Sequence, residues 1–294
     1  MAKKITRRNA LAGLAATSGS LVAAPFSYAS SSSTHMEIKP WKGNINHSVC
    51  YWCFNAIPFE QFAQEVKKMG LVGIDLVVPE KWPILNKYGL QCTMAEGAEI
   101  SLTEGWNDTQ YHSTLIKNYK THIELCAAEG IKNLICFSGN RRGMDYETGL
   151  VNCVKGLQQV LPYAERKGVT LHMELFNSKI DHPDYMCDNT PWGIELCERL
   201  GSPNFKLLYD IYHMQISEGD IIRTIRDHHK YFGHYHTAGV PGRNEINATQ
   251  ELFYPAVMKA LLETGYTGVV AQEFIPKNPN PLAALREGVA ICDV

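Results

Sequence analysis

A regular alternation of strand-like and helix-like segments is the feature that most constrains the fold of this chain. Segments rich in β-branched and apolar residues predict eight strands, at residues 47–54, 73–78, 91–96, 133–138, 169–176, 205–211, 232–238 and 268–274. Apolar residues at helical spacing predict eight helices, at residues 59–69, 82–88, 111–129, 146–167, 190–200, 219–230, 254–264 and 281–291. Glycines such as Gly70 and Gly130 follow several of these helices, as expected at a helix C-terminus.

Eight strand–helix units in one stretch of chain have the size and rhythm of a closed (β/α)8 TIM barrel. We therefore expect a single barrel domain over residues 43–294. The alternative is an open, doubly wound sheet, which would carry a glycine-rich phosphate-binding turn after an early strand. Neither G-x-G-x-x-G nor G-x-x-x-x-G-K-[ST] occurs in the sequence, so the barrel is favoured.

The first 29 residues have the order of zones found in an export signal. Arg7 and Arg8 precede a weakly apolar stretch rich in alanine and glycine, and small residues follow up to Ala29. This order predicts a twin-arginine signal peptide over residues 1–29 and a flexible leader over 30–42. We expect an exported or periplasmic protein that is soluble once cleaved, because no later stretch approaches the length of a membrane helix.

The charge balance gives no footprint for nucleic acid or for an anionic membrane. The chain has 28 Lys and Arg against 30 Asp and Glu, and four of the basic residues lie in the first eight positions. The remainder is mildly acidic, so the expected partner is a small molecule, with a homo-oligomer left open.

Nine cysteines are scattered along the chain. Cys50 and Cys53 fall within a predicted strand that would point them to opposite faces, which favours buried thiols over a zinc knuckle.

Acidic residues and a histidine stand near the ends of the last four predicted strands. They are Glu174, Asp210, His236 and Glu273. In a TIM barrel the C-terminal strand ends form the functional face, and a carboxylate among apolar neighbours is rarely left unpaired. Together the four predict a divalent metal site rich in carboxylate oxygen, with one imidazole.

Each of these residues alone also has a structural interpretation. Any single carboxylate could be an ion-paired core acid, and His172 or His234 alone would more often be a core histidine than a ligand. The metal hypothesis therefore depends on the four residues occurring together on successive strands.

Long stretches of the sequence resemble the hydroxypyruvate isomerase family, within the xylose-isomerase-like TIM barrels. The resemblance runs from about His47 to Pro276 and is strongest in CYWCFNAIPFEQF, FSGNRRGMD, KLLYDIYHMQISEGDIIRTI and GHYHTAGVPGRNEI. It implies one divalent ion (Mn, Mg or Zn) at the four positions named above. It also implies substrate contacts at His213 and Arg243, and Asn177 is a further candidate. Arg141 follows the fourth predicted strand at the functional face, where it is either a substrate contact or a solvated loop charge.

Two departures from the family pattern put the substrate in question. Lys179 stands where the resembling isomerases have arginine, and Gly239 stands where they have aspartate. The resemblance implies conversion of hydroxypyruvate to tartronate semialdehyde through an enediolate, with Glu174 and Glu273 as the acid/base pair. The same pair would serve a ketose 3-epimerase or another sugar isomerase.

Two further classes of protein remain open on the sequence alone. A nuclease of the endonuclease IV type would need more ligands for three zinc ions, and Val240–Arg243 replaces the Asp-x-His pair that would supply them. A non-catalytic exported sugar-binding protein could retain the pocket, but it would not need both Glu174 and Glu273.

Overall fold

The computed structural model describes residues 41–294. The predicted signal peptide, and residues 30–40 of the predicted leader, lie outside the described residues. Eight parallel strands pair in sequence order and β8 pairs with β1, so the sheet is a closed barrel. The strands are β1 (Asn46–Cys50), β2 (Gly73–Val77), β3 (Gln91–Ala95), β4 (Asn133–Cys136), β5 (Thr170–Glu174), β6 (Phe205–Asp210), β7 (Phe232–Thr237) and β8 (Val269–Gln272). The predicted TIM barrel is confirmed.

Helices occupy the connections between the strands and follow the last strand. They are α1 (Phe59–Met69), α2 (Trp82–Tyr88), α3 (His112–Glu129), α4 (Tyr146–Leu157), α5 (Leu161–Lys167), α6 (Thr190–Leu200), α7 (Ile211–Ser217), α8 (Ile221–His228), α9 (Tyr254–Glu263) and α10 (Pro281–Cys292). In α1 the buried residues include Phe59, Phe62 and Val66, which form one apolar stripe. Gly70 ends this helix in a left-handed conformation with φ +82°, which a side chain would disfavour.

Three differences from the sequence prediction go beyond a shift of one or two residues at the end of an element. The first strand ends at Cys50, and Tyr51–Phe54 form a short 3-10 helix, so the argument that Cys50 and Cys53 alternate along a strand was wrong. Cys50 is buried and Cys53 is half-buried. The predicted helix 146–167 is two helices, because Pro162 lies at the start of α5 and cannot continue the backbone ladder of α4.

The third difference is α7, which begins directly after β6 where the sequence predicted no helix. Asp210 ends the strand, and its side chain accepts a hydrogen bond from the backbone N–H of His213. The same carboxylate therefore serves as the N-cap of α7 and faces the mouth of the barrel. In residues 41–294, no helix is long and apolar enough to cross a membrane.

Candidate metal and substrate site

The four predicted metal ligands converge at the C-terminal end of the barrel. Glu174 ends β5, Asp210 ends β6, His236 is the last residue but one of β7, and Glu273 follows β8. All four are buried, and one candidate ligand atom from each lies within 4.8 Å of the others. Consecutive strands of a barrel are neighbours, so four residues far apart in sequence become one cluster.

The imidazole of His236 faces two different groups with its two nitrogens. Its Nδ1 lies 2.8 Å from Oε2 of Glu273 and 3.4 Å from Oε1 of Glu174. Its Nε2 lies 3.2 Å from Oδ2 of Asp75. Burial would lower the pKa of His236, but Cys50, Glu273 and Asp75 raise it well above its ordinary value. The surroundings of His236 therefore favour a positive charge on its ring, next to the carboxylates of Glu174 and Glu273.

Asp75 lies beneath the cluster, inside the barrel, and was not predicted from the sequence. Its Oδ1 accepts hydrogen bonds from the hydroxyls of Ser48 and Thr93. Its Oδ2 lies 2.5 Å from Nε2 of His234, in addition to its contact with His236. Burial alone would raise the pKa of Asp75, but these two imidazoles hold it well below its usual range. Asp75 is thus an anion held in place by its neighbours, and its carboxylate orients the Nε2 side of the His236 ring.

An irregularity in β2 explains how Asp75 reaches the interior. The pairing of β2 with β3 shifts register on both sides of Asp75, and Leu76 has φ +56°. Regular alternation would turn Leu76 away from the barrel axis, yet Leu76 lines the cavity at the mouth. The bulge lets two consecutive side chains, those of Asp75 and Leu76, serve the interior.

The cluster has the properties expected of a divalent cation site. Three carboxylates are buried together, and Oε1 of Glu174 has no hydrogen-bond partner within residues 41–294. Burial raises the pKa of Asp210 to about 8, although the charge of Arg243 opposes this shift. Crowded, desolvated carboxylates need a compensating charge. A divalent ion would supply it, and three carboxylates with one imidazole suit Mn, Mg or Zn.

Two other groups of residues could contribute ligands, and both include His236. Asp75, His234 and His236 form one group, and Cys50, His236 and Glu273 form the other. The oxygens of Asp75 already accept from two hydroxyls and approach two imidazoles, so the first group is a completed hydrogen-bond network. Burial raises the pKa of the Cys50 thiol well above its usual value, which disfavours the thiolate that a metal would need.

Arg243 lies beside the cluster, as the sequence predicted. Its Nη2 is 2.7 Å from Oε2 of Glu273 and 3.5 Å from Oδ2 of Asp210. Its guanidinium carbon lies 5.0 Å from the centre of the Trp52 ring, and Trp52 Nε1 donates to Oε1 of Glu273 at 2.7 Å. Burial alone would raise the pKa of Glu273, but His236 and Arg243 hold it well below its usual value. Both oxygens of Glu273 are therefore engaged.

His213 and Asn177 meet at the side of the cluster formed by Asp210. Asn177 Nδ2 lies 2.7 Å from Nδ1 of His213, and donation from the amide makes Nδ1 the acceptor. In that tautomer the proton is on Nε2, which lies 3.7 Å from Oδ2 of Asp210 and makes no hydrogen bond in the part of the chain described. Burial lowers the pKa of His213 well below its ordinary value, so a neutral ring offers one free N–H.

Arg141 is the predicted site residue that the fold does not bring to the cluster. Its Nε lies 3.5 Å from Oδ1 of Asp184, and its guanidinium carbon lies 5.0 Å from the centre of the Tyr146 ring. It does not line the cavity beside the cluster. Its charge is paired with Asp184, on the loop that follows β5.

A cavity of about 290 Å³ opens beside the cluster. Its wall combines aromatic and aliphatic side chains with charged groups: Trp52, Leu76, Glu96, Glu99, Leu102, Phe137, Glu174, Phe176, His182, Arg243 and Glu273. Sequence reasoning missed most of the apolar wall and assigned no role to Glu96 or Glu99, although both follow a predicted strand end. The position of Glu96 at the end of a predicted strand, and of Glu99 just after it, is the sequence feature that could have indicated their place in the cavity wall.

The barrel architecture agrees with the family comparison. The model of the family described as "Xylose isomerase-like TIM barrel" matches residues 83–293. The chain belongs to this family, and the resemblance inferred from the sequence is confirmed.

Curated relatives match over shorter stretches. The chain is 34% identical over 114 residues to a 2-oxo-tetronate isomerase of Cupriavidus necator, covering 39% of this chain and 43% of that protein. It is 29% identical over 156 residues to the hydroxypyruvate isomerase of Escherichia coli, covering 53% of this chain and 60% of that protein. In both cases the chain spans less than two thirds of the relative's length.

Solved structures share the fold at low identity. The D-psicose 3-epimerase from Clostridium cellulolyticum superposes with a TM-score of 0.70 at 17% identity, over 85% of this chain and 100% of that chain. A likeness at this identity establishes the shared barrel architecture.

Proposed function

We propose that this protein is a metal-dependent isomerase that acts on a small hydroxy-carbonyl compound. The observation that carries the proposal is the buried cluster of Glu174, Asp210, His236 and Glu273 at the mouth of the barrel, beside a cavity. The isomerases among its relatives support the same reaction type. Membership of an enzyme-rich barrel family makes a purely structural cluster the weaker explanation.

Moving a carbonyl between adjacent carbons requires removal of a proton from carbon, which water does poorly at neutral pH. A divalent ion at the cluster would stabilise negative charge on the carbonyl and hydroxyl oxygens of the substrate. The identity of the ion (Mn, Mg or Zn) stays open, because this donor set accepts each of them.

The two glutamates differ in ways that suit different roles in the proton transfers. Both oxygens of Glu273 are held, one by Trp52 and the other by His236 and Arg243. Oε1 of Glu174 has no hydrogen-bond partner in residues 41–294, and Glu174 lines the cavity. Glu174 is therefore the better placed to take a proton from carbon. Glu273, at the opposite end of the four-strand run, would first take up a proton from water and then return it to the substrate.

Three other residues would orient the substrate. Arg243 lines the cavity and neutralises the cluster, and His213 presents a free Nε2–H beside Asp210. Asn177 fixes the tautomer of His213. The predicted contact of Arg141 with substrate requires the Asp184 pair to open.

The closest reaction by resemblance is the hydroxypyruvate isomerase type, in which hydroxypyruvate becomes tartronate semialdehyde through an enediolate. A ketose 3-epimerase is the second candidate. It is favoured by the placement of Glu174 and Glu273 at the two ends of the four-strand run, since epimerisation needs a base and an acid on opposite faces of one carbon. A non-catalytic sugar-binding protein is the third.

Proton–deuterium exchange tests the proposal whatever the product. The purified full-length protein, loaded in turn with Mn, Mg and Zn, is incubated in deuterated buffer with hydroxypyruvate and a panel of ketoses. We expect metal-dependent exchange at one carbon of at least one compound. Absence of exchange with every compound and metal would contradict the isomerase and the epimerase together.

We also propose that the protein is exported through a twin-arginine signal and takes up its metal before export. The zones of residues 1–29 support this proposal. As the charge balance indicates, the expected partner is a small molecule and no nucleic acid is expected. Homo-oligomerisation is left open.

A further inference from the structure

Two glutamates on the loop after β3 line the same cavity as Glu174 and Glu273. Glu96 follows the last residue of β3, and Glu99 comes three residues later. Glu99 is held by the backbone N–H of Gly97, which lies 2.9 Å from Oε2. The carboxylate of Glu96 accepts no hydrogen bond from residues 41–294, so it is available to a ligand.

The cations around the mouth are committed to other groups. Arg243, the one arginine or lysine that lines the cavity within the described residues, is paired with Glu273 and Asp210. Lys179, at the position of a family arginine, binds the carbonyls of Ile216 and Ser217 through Nζ, at 3.1 Å and 2.8 Å.

Two further cations near the mouth do not line the cavity. Lys81 places its Nζ 4.9 Å from the centre of the Tyr51 ring, and Arg141 pairs with Asp184. His182 lines the cavity, but burial and the charge of Arg243 lower its pKa, which favours the neutral ring. A substrate carboxylate therefore finds no unpaired cation in the described wall.

The formal charge of the loaded cavity is negative. Three ligand carboxylates, one divalent ion and Arg243 sum to neutrality, and Glu96 and Glu99 add negative charge to that balance. Burial, with the adjacent charge of Glu99, raises the pKa of Glu96 to about 7, as expected where a further anion is unfavourable. Like charges facing each other across a binding site are costly.

The same wall suits a neutral polyhydroxy compound. Carboxylate oxygens accept strong, charge-assisted hydrogen bonds from hydroxyl groups. Trp52, Phe137 and Phe176 add apolar faces to the cavity, against which the C–H surface of a sugar can pack. Acceptors in the wall, together with the metal cluster, fit a chain of hydroxyl groups that ends in a hydroxy-carbonyl unit.

We propose that Glu96 and Glu99 determine specificity, so that the site takes neutral ketoses and excludes the keto acids named for its relatives. This inference rests on the proposed function, because it assigns the substrate class of the same site. The two glutamates act by attraction of hydroxyl groups and by repulsion of carboxylates.

The experiment compares neutral and anionic ligands of matched length on the metal-loaded full-length protein. Calorimetry measures the affinity of an unreactive pentitol and of the corresponding aldonate, and deuterium exchange measures kcat/KM for a ketose and for hydroxypyruvate. The variants are the double substitution Glu96→Gln with Glu99→Gln, and Glu104→Gln as control. Glu104 lies on the same loop, contacts Ser101 and Tyr111, and does not line the cavity.

We expect the parent protein to bind the pentitol at least about tenfold more tightly than the aldonate, and to prefer the ketose in exchange. The double variant should lose most of this ratio, mainly by binding the aldonate more tightly, and Glu104→Gln should keep it. Equal or tighter binding of the aldonate by the parent protein, no binding of either ligand, or an unchanged ratio in the double variant would overturn the inference. Failure of exchange with every substrate would instead contradict the proposed function, and the calorimetric ratio would still decide the specificity.

Discussion

Nε2 of His236 lies 3.2 Å from a carboxylate oxygen of Asp75, while Nδ1 of the same ring faces Glu273 and Glu174. A carboxylate that accepts from one nitrogen of a histidine fixes the tautomer, orients the ring and increases the basicity of the other nitrogen. Asp75, on the second strand of the barrel, would thus prepare Nδ1 of His236 for the proposed role of metal ligand.

We predict that Asp75→Asn weakens metal binding by about 10- to 100-fold without removing any ligand. Competition with a chelator of known affinity measures the change, and circular dichroism confirms that the barrel is folded. Asp293→Asn is the matched control, because Asp293 lies 3.7 Å from Nε2 of His47, in a buried pair apart from the cluster. Equal metal affinity in the parent protein and Asp75→Asn would show that Asp75 has no part in the site.

Asp210 offers a direct test of the ligand set. Asparagine is a neutral and poorer ligand for a hard cation, yet it is as good an N-cap as aspartate. Asp210→Asn should therefore leave α7 folded and reduce metal affinity more than Asp75→Asn does. Asp145→Asn changes a comparable N-cap, at α4, and should leave metal affinity unchanged. Full metal content in Asp210→Asn, at metal concentrations that are limiting, would place Asp210 outside the ligand set.

Much of this architecture follows from local sequence patterns, which explains why the barrel, and the convergence of the four candidate ligands at its mouth, could be predicted. The spacing that makes a strand or a helix extends over a few residues, and the ends of parallel strands share one face. The role of Asp75 depends instead on Ser48 and Thr93, which come from neighbouring strands, and on a bulge beside Leu76. Neither these contacts nor the bulge produces a periodic pattern in the sequence.

The contacts of the loop residues could not be predicted from the sequence either. Glu96 and Glu99 follow a strand, where alternation no longer states the direction of a side chain. Arg141 stands at a promising position after β4, but Asp184 on the loop after β5 lies close enough to pair with it. Such competition between partners is decided by three-dimensional proximity, which a single sequence does not give.

The charge of Glu96 should make substrate discrimination depend on pH. Its pKa of about 7 arises from burial and from Glu99, with Lys81 opposing and Glu273 adding to the shift. As pH rises from about 6 to 8, Glu96 loses its proton and the wall becomes more negative. We expect the aldonate to bind progressively more weakly over this range while the pentitol changes little.

Calorimetry at both pH values measures this ratio, and the single variant Glu96→Gln should flatten its pH dependence. An aldonate affinity that rises with pH in the parent protein would have the wrong sign for this explanation. An equal slope in Glu96→Gln would assign the titration to another group.

Export can be tested through Arg7 and Arg8, which lie outside the residues that the structure describes. Replacing both by lysine keeps the charge and removes the arginine pair, so the predicted twin-arginine route should fail. We expect the variant to accumulate inside the cell, as measured by fractionation, while Lys3→Arg with Lys4→Arg is exported normally. Unchanged export of the lysine variant would refute the twin-arginine prediction and leave the barrel untouched.

The acid/base pair gives the most direct test of mechanism. Glutamine at position 174 or 273 keeps the shape of the side chain but does not accept the proton, so turnover should fall by about 100- to 10,000-fold in either variant. The two losses should be far from additive, because loss of either half of a two-residue relay already stops the cycle. Glu245→Gln is the control, since Glu245 is buried near the mouth and accepts hydrogen bonds from the backbone of Lys277 and Asn278.

Isotope exchange separates the two roles. If Glu174 removes the proton and Glu273 returns one, Glu273→Gln should still exchange deuterium into a single carbon of the substrate while net isomerisation stops. Glu174→Gln should lose both processes, and metal content measured in the same samples distinguishes loss of the ion from loss of the base. Near-normal turnover in both variants would make the two glutamates structural. His213 would then be the next residue to examine as the base, which would require its proton to move from Nε2 to Nδ1.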